Sequence, residues 1–166
     1  MDSDFREHDA QATGPSAWPA SLIELYRAQY APMVRLAYLL TGSNALAEEV
    51  VQEAFIRIRG RLGSVDSPVA YLRTTVVNGS HNHHRHTEVE RRLAPLTATP
   101  ESVTDSLDEL GDALASLPER QRAVLVLRYY QDLTEAEIAQ VLDCRPGTVK
   151  SLAHRGLASL RKVLEP

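Results

Sequence analysis

Between Ser116 and Leu164, segments of helical apolar spacing are separated only by helix-start signatures and one three-residue turn. That pattern restricts this stretch to a small unit of short helices. Ser116-Leu117-Pro118-Glu119 has capping-box spacing and precedes a helix carrying Val124, Leu127 and Tyr130. Thr134-Glu135-Ala136-Glu137 repeats the capping box and opens a short helix with Ile138, Ala139 and Leu142. The turn Asp143-Cys144-Arg145 then leads to Pro146 at the head of a final helix ending near Leu164. Asp143 stands where the turn needs a positive φ, which aspartate tolerates better than most residues. A short capped helix, a tight turn and a second helix form a helix-turn-helix candidate. The inward positions are Ile138 and Leu142, small Ala139 at the crossing, then Val149, Ala153 and Leu157. With Val149 inward, Lys150, Ser151, His154 and Arg155 share the opposite face as two i,i+4 pairs. Such a stripe binds phosphates and reaches base edges. A helical hairpin with a solvated face is the plain alternative; the caps, the small crossing residue and the basic stripe together favour DNA.

Upstream, Leu107, Leu110, Leu114 and Leu117 mark a short amphipathic helix, and Leu93 to Thr104, with Pro95 and Pro100, reads as a linker. In the first half a helix begins near Ser21 with Leu22, Leu25, Tyr26 and Tyr30 on one face. Pro32 is expected to break or kink it before Met33, Leu36, Ala37 and Leu40, and Gly42 to end the stretch. Asn44 is the expected cap of the next helix, which has Leu46, Val50, Val51, Ala54, Phe55, Ile58 and Leu62 at a period near 3.6. Ser67-Pro68 opens another, as cap and first helical residue, running through Tyr71, Leu72, Val76 and Val77 to a polar end at His81–Arg92. No internal repeat, Gly-rich phosphate loop or βαβ pattern is present. The expected fold is all-α: two small helical domains joined by a flexible linker, the C-terminal one a helix-turn-helix. The expected boundaries are a disordered tail over 1–19, a first domain over 20–92, a linker over 93–105 and a second domain over 106–166.

The 166 residues carry a net charge of −4, which taken alone argues against a nucleic-acid partner, but the charge is unevenly spread. Arg57 to Arg92 is +4, Thr97 to Glu119 is −6, and Asp143 to Pro166 is +3. Two basic blocks flank an acidic one, a pattern that solvated helix faces would also give. The single cysteine, Cys144, excludes an intrachain disulfide and a Cys-based structural zinc site. No apolar run approaches the roughly 20 residues that span a bilayer. The polar N-terminus lacks a signal-peptide apolar core, so the chain reads as cytoplasmic, without membrane insertion.

These strings resemble a known family. Leu117-Pro-Glu-Arg-Gln-Arg-Ala-Val-Leu-Val-Leu-Arg-Tyr-Tyr130, Leu133-Thr-Glu-Ala-Glu-Ile-Ala139 and Gly147-Thr-Val-Lys-Ser151 are similar to the −35-reading domain of bacterial extracytoplasmic-function RNA polymerase sigma factors. Ala47-Glu-Glu-Val-Val-Gln-Glu-Ala-Phe55, Tyr71-Leu-Arg73 and Asn78 resemble the family's first domain. The resemblance runs from Ser21 to Leu164, and within the family it is to the compact actinobacterial type.

The resemblance implies a non-enzymatic subunit that binds core RNA polymerase, through the β′ clamp helices and the β flap, and recognises and opens promoter DNA. It implies no cofactor and a monomer when free, and it leaves room for an anti-sigma factor. The residues matching the family's core-polymerase contacts are Glu49, Val50, Gln52, Glu53 and Phe55, with Val50 and Phe55 equally suited to a core. For the −10 element, read as single strand with a flipped base, the matches are Asn78 in the pocket and Tyr71 at an aromatic position that also suits a core; Arg73, Arg85, Arg91 and Arg92 are candidates for phosphates. For the −35 element they are Lys150, Ser151, His154 and Arg155. Leu152 departs from a usually polar position and reads as half-buried. The run His81-Asn-His-His-Arg-His86 replaces arginines of relatives. Its i,i+3 pairs invite a metal, but no carboxylate or cysteine lies close in sequence, so no metal site is assigned. Two other readings compete: a stand-alone helix-turn-helix regulator, against which the Val-Gln-Glu-Ala-Phe string argues, and a metal-dependent helical enzyme, which lacks a carboxylate set or activated nucleophile.

Overall fold

The computed structural model describes residues 19–93 and 106–165, with side chains described over 19–83 and 109–165. Of the tail expected over 1–19 and the linker expected over 93–105, residues 1–18 and 94–105 lie outside the described residues. Among the described residues seven α-helices follow in order: α1 (Ala20–Thr41), α2 (Asn44–Arg59), α3 (Pro68–Leu93), α4 (Ser106–Ala115), α5 (Glu119–Leu125), α6 (Glu135–Val141) and α7 (Pro146–Leu164). A π-helical turn, Val126–Tyr130, prolongs α5. No strand occurs among the described residues, and the all-α expectation holds.

The first three helices pack mutually around Leu22, Met33, Leu36, Ala47, Val51, Phe55, Ile58, Leu72 and Val76, the face that the 3.6 period selects. Pro32 does not break α1, which is one continuous helix. Ala31 and Pro32 are exposed, so the bond proline removes faces water, while Met33, Leu36 and Ala37 bury the opposite side. Gly42 ends α1 as expected, with φ 72° and its N–H on the Tyr38 carbonyl. Ser43, not Asn44, caps α2: its Oγ accepts the Leu46 N–H at 3.3 Å. Ser67 Oγ accepts from the Ala70 N–H at 3.3 Å, as the Ser-Pro signature predicts. Helices α2 and α3 approach closely at Gly79, where a Cβ would lie 2.9 Å from Val50 Cγ1.

In the second domain α5, α6 and α7 form the helix-turn-helix core on Val124, Leu127, Ile138, Ala139, Val149 and Ala153. The Thr134 capping box is complete: Thr134 Oγ1 accepts from the Glu137 N–H, and Glu137 accepts from the Thr134 N–H at 2.8 Å. Those bonds hold the Glu137 carboxyl below its usual pKa. The box expected at Ser116 is not formed. Pro118 is the N-cap of α5, at φ −53° and ψ 138°, and Ser116 Oγ turns back to the Ala113 carbonyl at 2.6 Å. Proline restricts the residue before it to extended backbone, which moves the helix start past the box.

The two domains share one continuous core through α1, α4, α5 and the π turn. Arg122 on α5 is its polar centre, only 4% exposed. Nη1 donates to the Leu40 carbonyl at 2.8 Å; Nη2 donates to the Ala115 and Leu117 carbonyls at 2.8 and 3.1 Å. Leu40 and Ala115 lie at the C-termini of α1 and α4, where orphan carbonyls and the negative dipole end need a cation. Neither helix carries a base in its last turn; Arg122 supplies one to both. Burial lowers its pKa, and Glu119 pulls it back up.

Candidate polymerase and nucleic-acid interfaces

Three faces carry the candidate residues. On α2, Glu49, Gln52 and Glu53 are exposed on one stripe, because the apolar residues between them are buried against α1 and α3. Val50 and Phe55 are 2% and 1% exposed. They belong to the core and support the face from below rather than forming it. Tyr26 meets the Phe55 ring edge-on, with centroids 5.0 Å apart. The exposed apolar member of the stripe is Ile56, 58% exposed and one turn beyond Gln52. Sequence reasoning passed over it; its signal was the i,i+4 spacing from Gln52. Glu53 pairs with Arg57 across one exposed turn, which screens little of its charge from a partner.

On α3, Asn78 is exposed and Tyr71 is half-buried against the core. Arg73 is half-buried, and its Nε donates to Gln131 Oε1 of the second domain at 2.9 Å. Asn78 lines a cleft of about 150 Å³ between α3 and α5, with Val77, Ser80 and His81 on one wall and Glu119 and Arg120 on the other. His81 Nδ1 lies 2.5 Å from Glu119 Oε1. The carboxylate that the histidine run lacks in sequence therefore comes from the second domain. No group of three potential metal ligands is found among the described residues. Arg85, Arg91 and Arg92 lie on the helical backbone of α3, but their side chains are outside the described set.

On α7, Lys150, Ser151, His154 and Arg155 are all exposed, and Val149, Leu152, Ala153 and Gly156 are buried beneath them. Leu152, expected half-buried, is 7% exposed and belongs to the core. Leu157, expected inward, is 39% exposed. Gly156 takes the inward place, lying so close to Leu125 that a Cβ would come within 3.1 Å of Cδ1. The close approach turns Leu157 toward an apolar groove that it lines with Leu39, Leu110, Leu114 and Tyr129. Ser151 Oγ donates to the Gly147 carbonyl at 3.0 Å, and Arg155 Nε donates to the Ser151 carbonyl at 3.4 Å. The terminal Arg155 nitrogens stay free, and those are the atoms a bidentate contact to guanine uses. Asp143 has φ 47°, as the turn requires, and directs exposed Arg145 to the N-cap of α7. Arg145 is therefore an exposed base at the head of the helix that carries the stripe, although its position in the turn gave no sign of it.

Among the described residues no helix is long and apolar enough to cross a membrane. Residues 25–89 match the family described as Sigma-70 region 2, and residues 107–160 match Sigma-70, region 4. The ECF RNA polymerase sigma factor SigL of Mycobacterium tuberculosis is 34% identical over 94% of this chain and 96% of its own length. The RNA polymerase sigma-E factor of Streptomyces avermitilis is 34% identical over 86% of this chain and 84% of its own. Among solved structures, the sigma factor RpoE from Bartonella quintana, crystallised with the anti-sigma factor NepR, has the same fold. Its TM-score is 0.71, at 21% identity, over 86% of this chain and 95% of that one. With both helical domains matched and relatives aligned along nearly the whole length, the chain belongs to the extracytoplasmic-function RNA polymerase sigma factors.

Proposed function

We propose that this sigma factor, itself without catalytic activity and working in the cytoplasm, divides promoter recognition among the three faces. The α2 stripe of Glu49, Gln52, Glu53 and Ile56 docks on the β′ clamp helices of core polymerase. Acidic groups around an exposed apolar side chain suit a helical partner with a basic rim. The α3 face, with Asn78 and Arg73 and continuing to Arg85, Arg91 and Arg92, takes the separated −10 strand; Tyr71 supports it from the core. The α7 stripe reads the −35 duplex. Its partners are core polymerase, including the β flap, promoter DNA and an anti-sigma factor. The boundaries that fit this division are a first domain over 20–92 and a second over 106–166.

The observation that carries this reading is the α7 stripe: four exposed polar side chains in line, anchored by Val149, Leu152 and Ala153 below. In transcription assays with core polymerase and a pool of genomic promoters, the chain should direct initiation from a defined subset. Initiation indistinguishable from core polymerase alone would overturn the reading and favour a stand-alone regulator.

Two variant sets test the residues. Arg155→Ala should cost on the order of 1–3 kcal/mol on the selected −35 element and relax preference at one base pair. Lys150→Ala should weaken all sequences alike and reduce the salt slope by about one unit. Site selection with both variants across salt separates them, and equal, sequence-independent losses would show that Arg155 only holds the backbone. For α2, Glu53→Lys should weaken core-polymerase binding in a fluorescence titration by about tenfold, with helicity unchanged. Wild-type affinity in that variant removes Glu53 from the interface.

A further inference from the structure

We propose that His81, His84 and Glu119 form a site for one divalent transition cation, of the zinc class, where α3 meets the start of α5. Two imidazoles from the histidine run and one carboxylate from the second domain make a donor set that suits such an ion and leaves a coordination position for water.

The observations meet at the cleft between the two helices. His81 Nδ1 lies 2.5 Å from Glu119 Oε1, and both side chains are partly exposed, so an ion can reach them from solvent. With metal–nitrogen and metal–oxygen bonds of about 2.1 Å, a tetrahedral ion holds two ligand atoms about 3.4 Å apart. The pair therefore opens by about 1 Å to admit the ion, and the proton between its two atoms leaves to solvent. Val77, Ser80 and His81 line the cleft from one side of α3. Helix α3 continues to Leu93, and its 3.6 period puts His84 next on that side, one turn beyond His81. The same period puts His83 and His86 on other sides. Ser80 is 4% exposed, lines the same cleft, and its Oγ has no hydrogen-bond partner among the described residues. The cleft, about 150 Å³, has room for a water beside the ion, and a metal-bound water gives that hydroxyl the partner it lacks. Arg120, the cation on the opposite wall, is exposed, and water screens its charge.

The test uses the full untagged chain with Zn²⁺, competed against a chromophoric chelator, and with Co²⁺ as a spectroscopic probe. Wild type should bind one ion per chain with a micromolar Kd, and the ion should raise the midpoint of thermal unfolding. His81→Ala, His84→Ala and Glu119→Gln should each weaken binding at least about tenfold, a loss that even an outer partner of a metal site causes. Circular dichroism reads whether each variant is folded. Glu119→Asp keeps the carboxylate and should recover part of the loss seen in Glu119→Gln. The Co²⁺ spectrum should differ between Glu119→Gln and wild type, because an oxygen donor is lost. His86→Ala, on another side of α3, should bind as wild type does.

Wild-type affinity in any of the three ligand variants overturns the site; in Glu119→Gln it leaves the ion on the histidine run alone. Equal losses in His84→Ala and His86→Ala do the same, because the run would then chelate without a fixed geometry. Binding with no rise in the unfolding midpoint also overturns it, since the unfolded chain would hold the ion as well as the folded one. Absence of Zn²⁺ binding to wild type ends the proposal outright.

Discussion

Replacing Phe55 by alanine should cost about 3–5 kcal/mol of unfolding free energy and leave the polymerase affinity of the folded protein unchanged. The ring is 1% exposed and is the largest of the fully buried side chains. It meets Tyr26 edge-on at 5.0 Å and Tyr30 at 6.3 Å, and Tyr26 in turn stacks on Tyr30 at 4.7 Å. Truncation leaves a cavity under the α2 stripe and removes aromatic contacts worth about 0.5–1.5 kcal/mol each beyond burial. Urea unfolding gives the stability, and a titration with core polymerase, restricted to conditions where the variant is folded, gives the affinity. A loss under about 1 kcal/mol together with weakened docking would make Phe55 an interface residue after all.

Arg122→Ala is the second large effect, at about 3–5 kcal/mol. The substitution strips three carbonyls of their donor at once and leaves two helix C-termini without a cation. Lysine should not rescue it. One ammonium cannot reproduce the planar fork that reaches Leu40 in one direction and Ala115 and Leu117 in another. Urea unfolding of Arg122→Ala and Arg122→Lys tests this; wild-type stability in the lysine variant would reduce the role of Arg122 to charge alone.

What the sequence revealed was what neighbours in the chain decide. The Thr134 box, the αL glycine at 42, positive φ at Asp143 and the Ser67-Pro68 start depend on residues within four positions, and all appear as expected. The exposed polar stripe on α7 was legible for the same reason, because i,i+4 spacing fixes a face once Val149 is placed inward. Where local signals competed, tertiary packing decided. Pro32 reads as a break, yet burial on either side of it keeps α1 whole. Leu157 fits the inward period, yet the close seat of Gly156 on Leu125 rotates it out. Val50 and Phe55 match a docking string, but their period places them in the core while Ile56 stands at the surface. The contacts between the domains were not legible at all. Arg73 with Gln131, His81 with Glu119 and Arg122 with Leu40 join residues far apart in the chain, and no pattern of spacing announces such pairs.

The π turn over Val126–Tyr130 sets the helical phase at which the two domains meet. On an uninterrupted α-helix, residues 124, 127 and 131 would share one side, and Gln131 would point into the core occupied by Val124 and Leu127. The wide turn, closed by the Gln131 N–H on the Val126 carbonyl at 3.2 Å, absorbs one additional residue. Gln131 is thereby delivered to Arg73, and Tyr130 to the backbone of α1. Phase is an all-or-none variable: a single residue gained or lost there turns everything beyond it by about 100°. The joint between the domains is thus sensitive to an insertion or deletion in a way that it is not to a change of side chain. Losing the residue that the turn absorbs would part Gln131 from Arg73 and Tyr130 from α1 without altering the identity of a single residue on the α7 stripe.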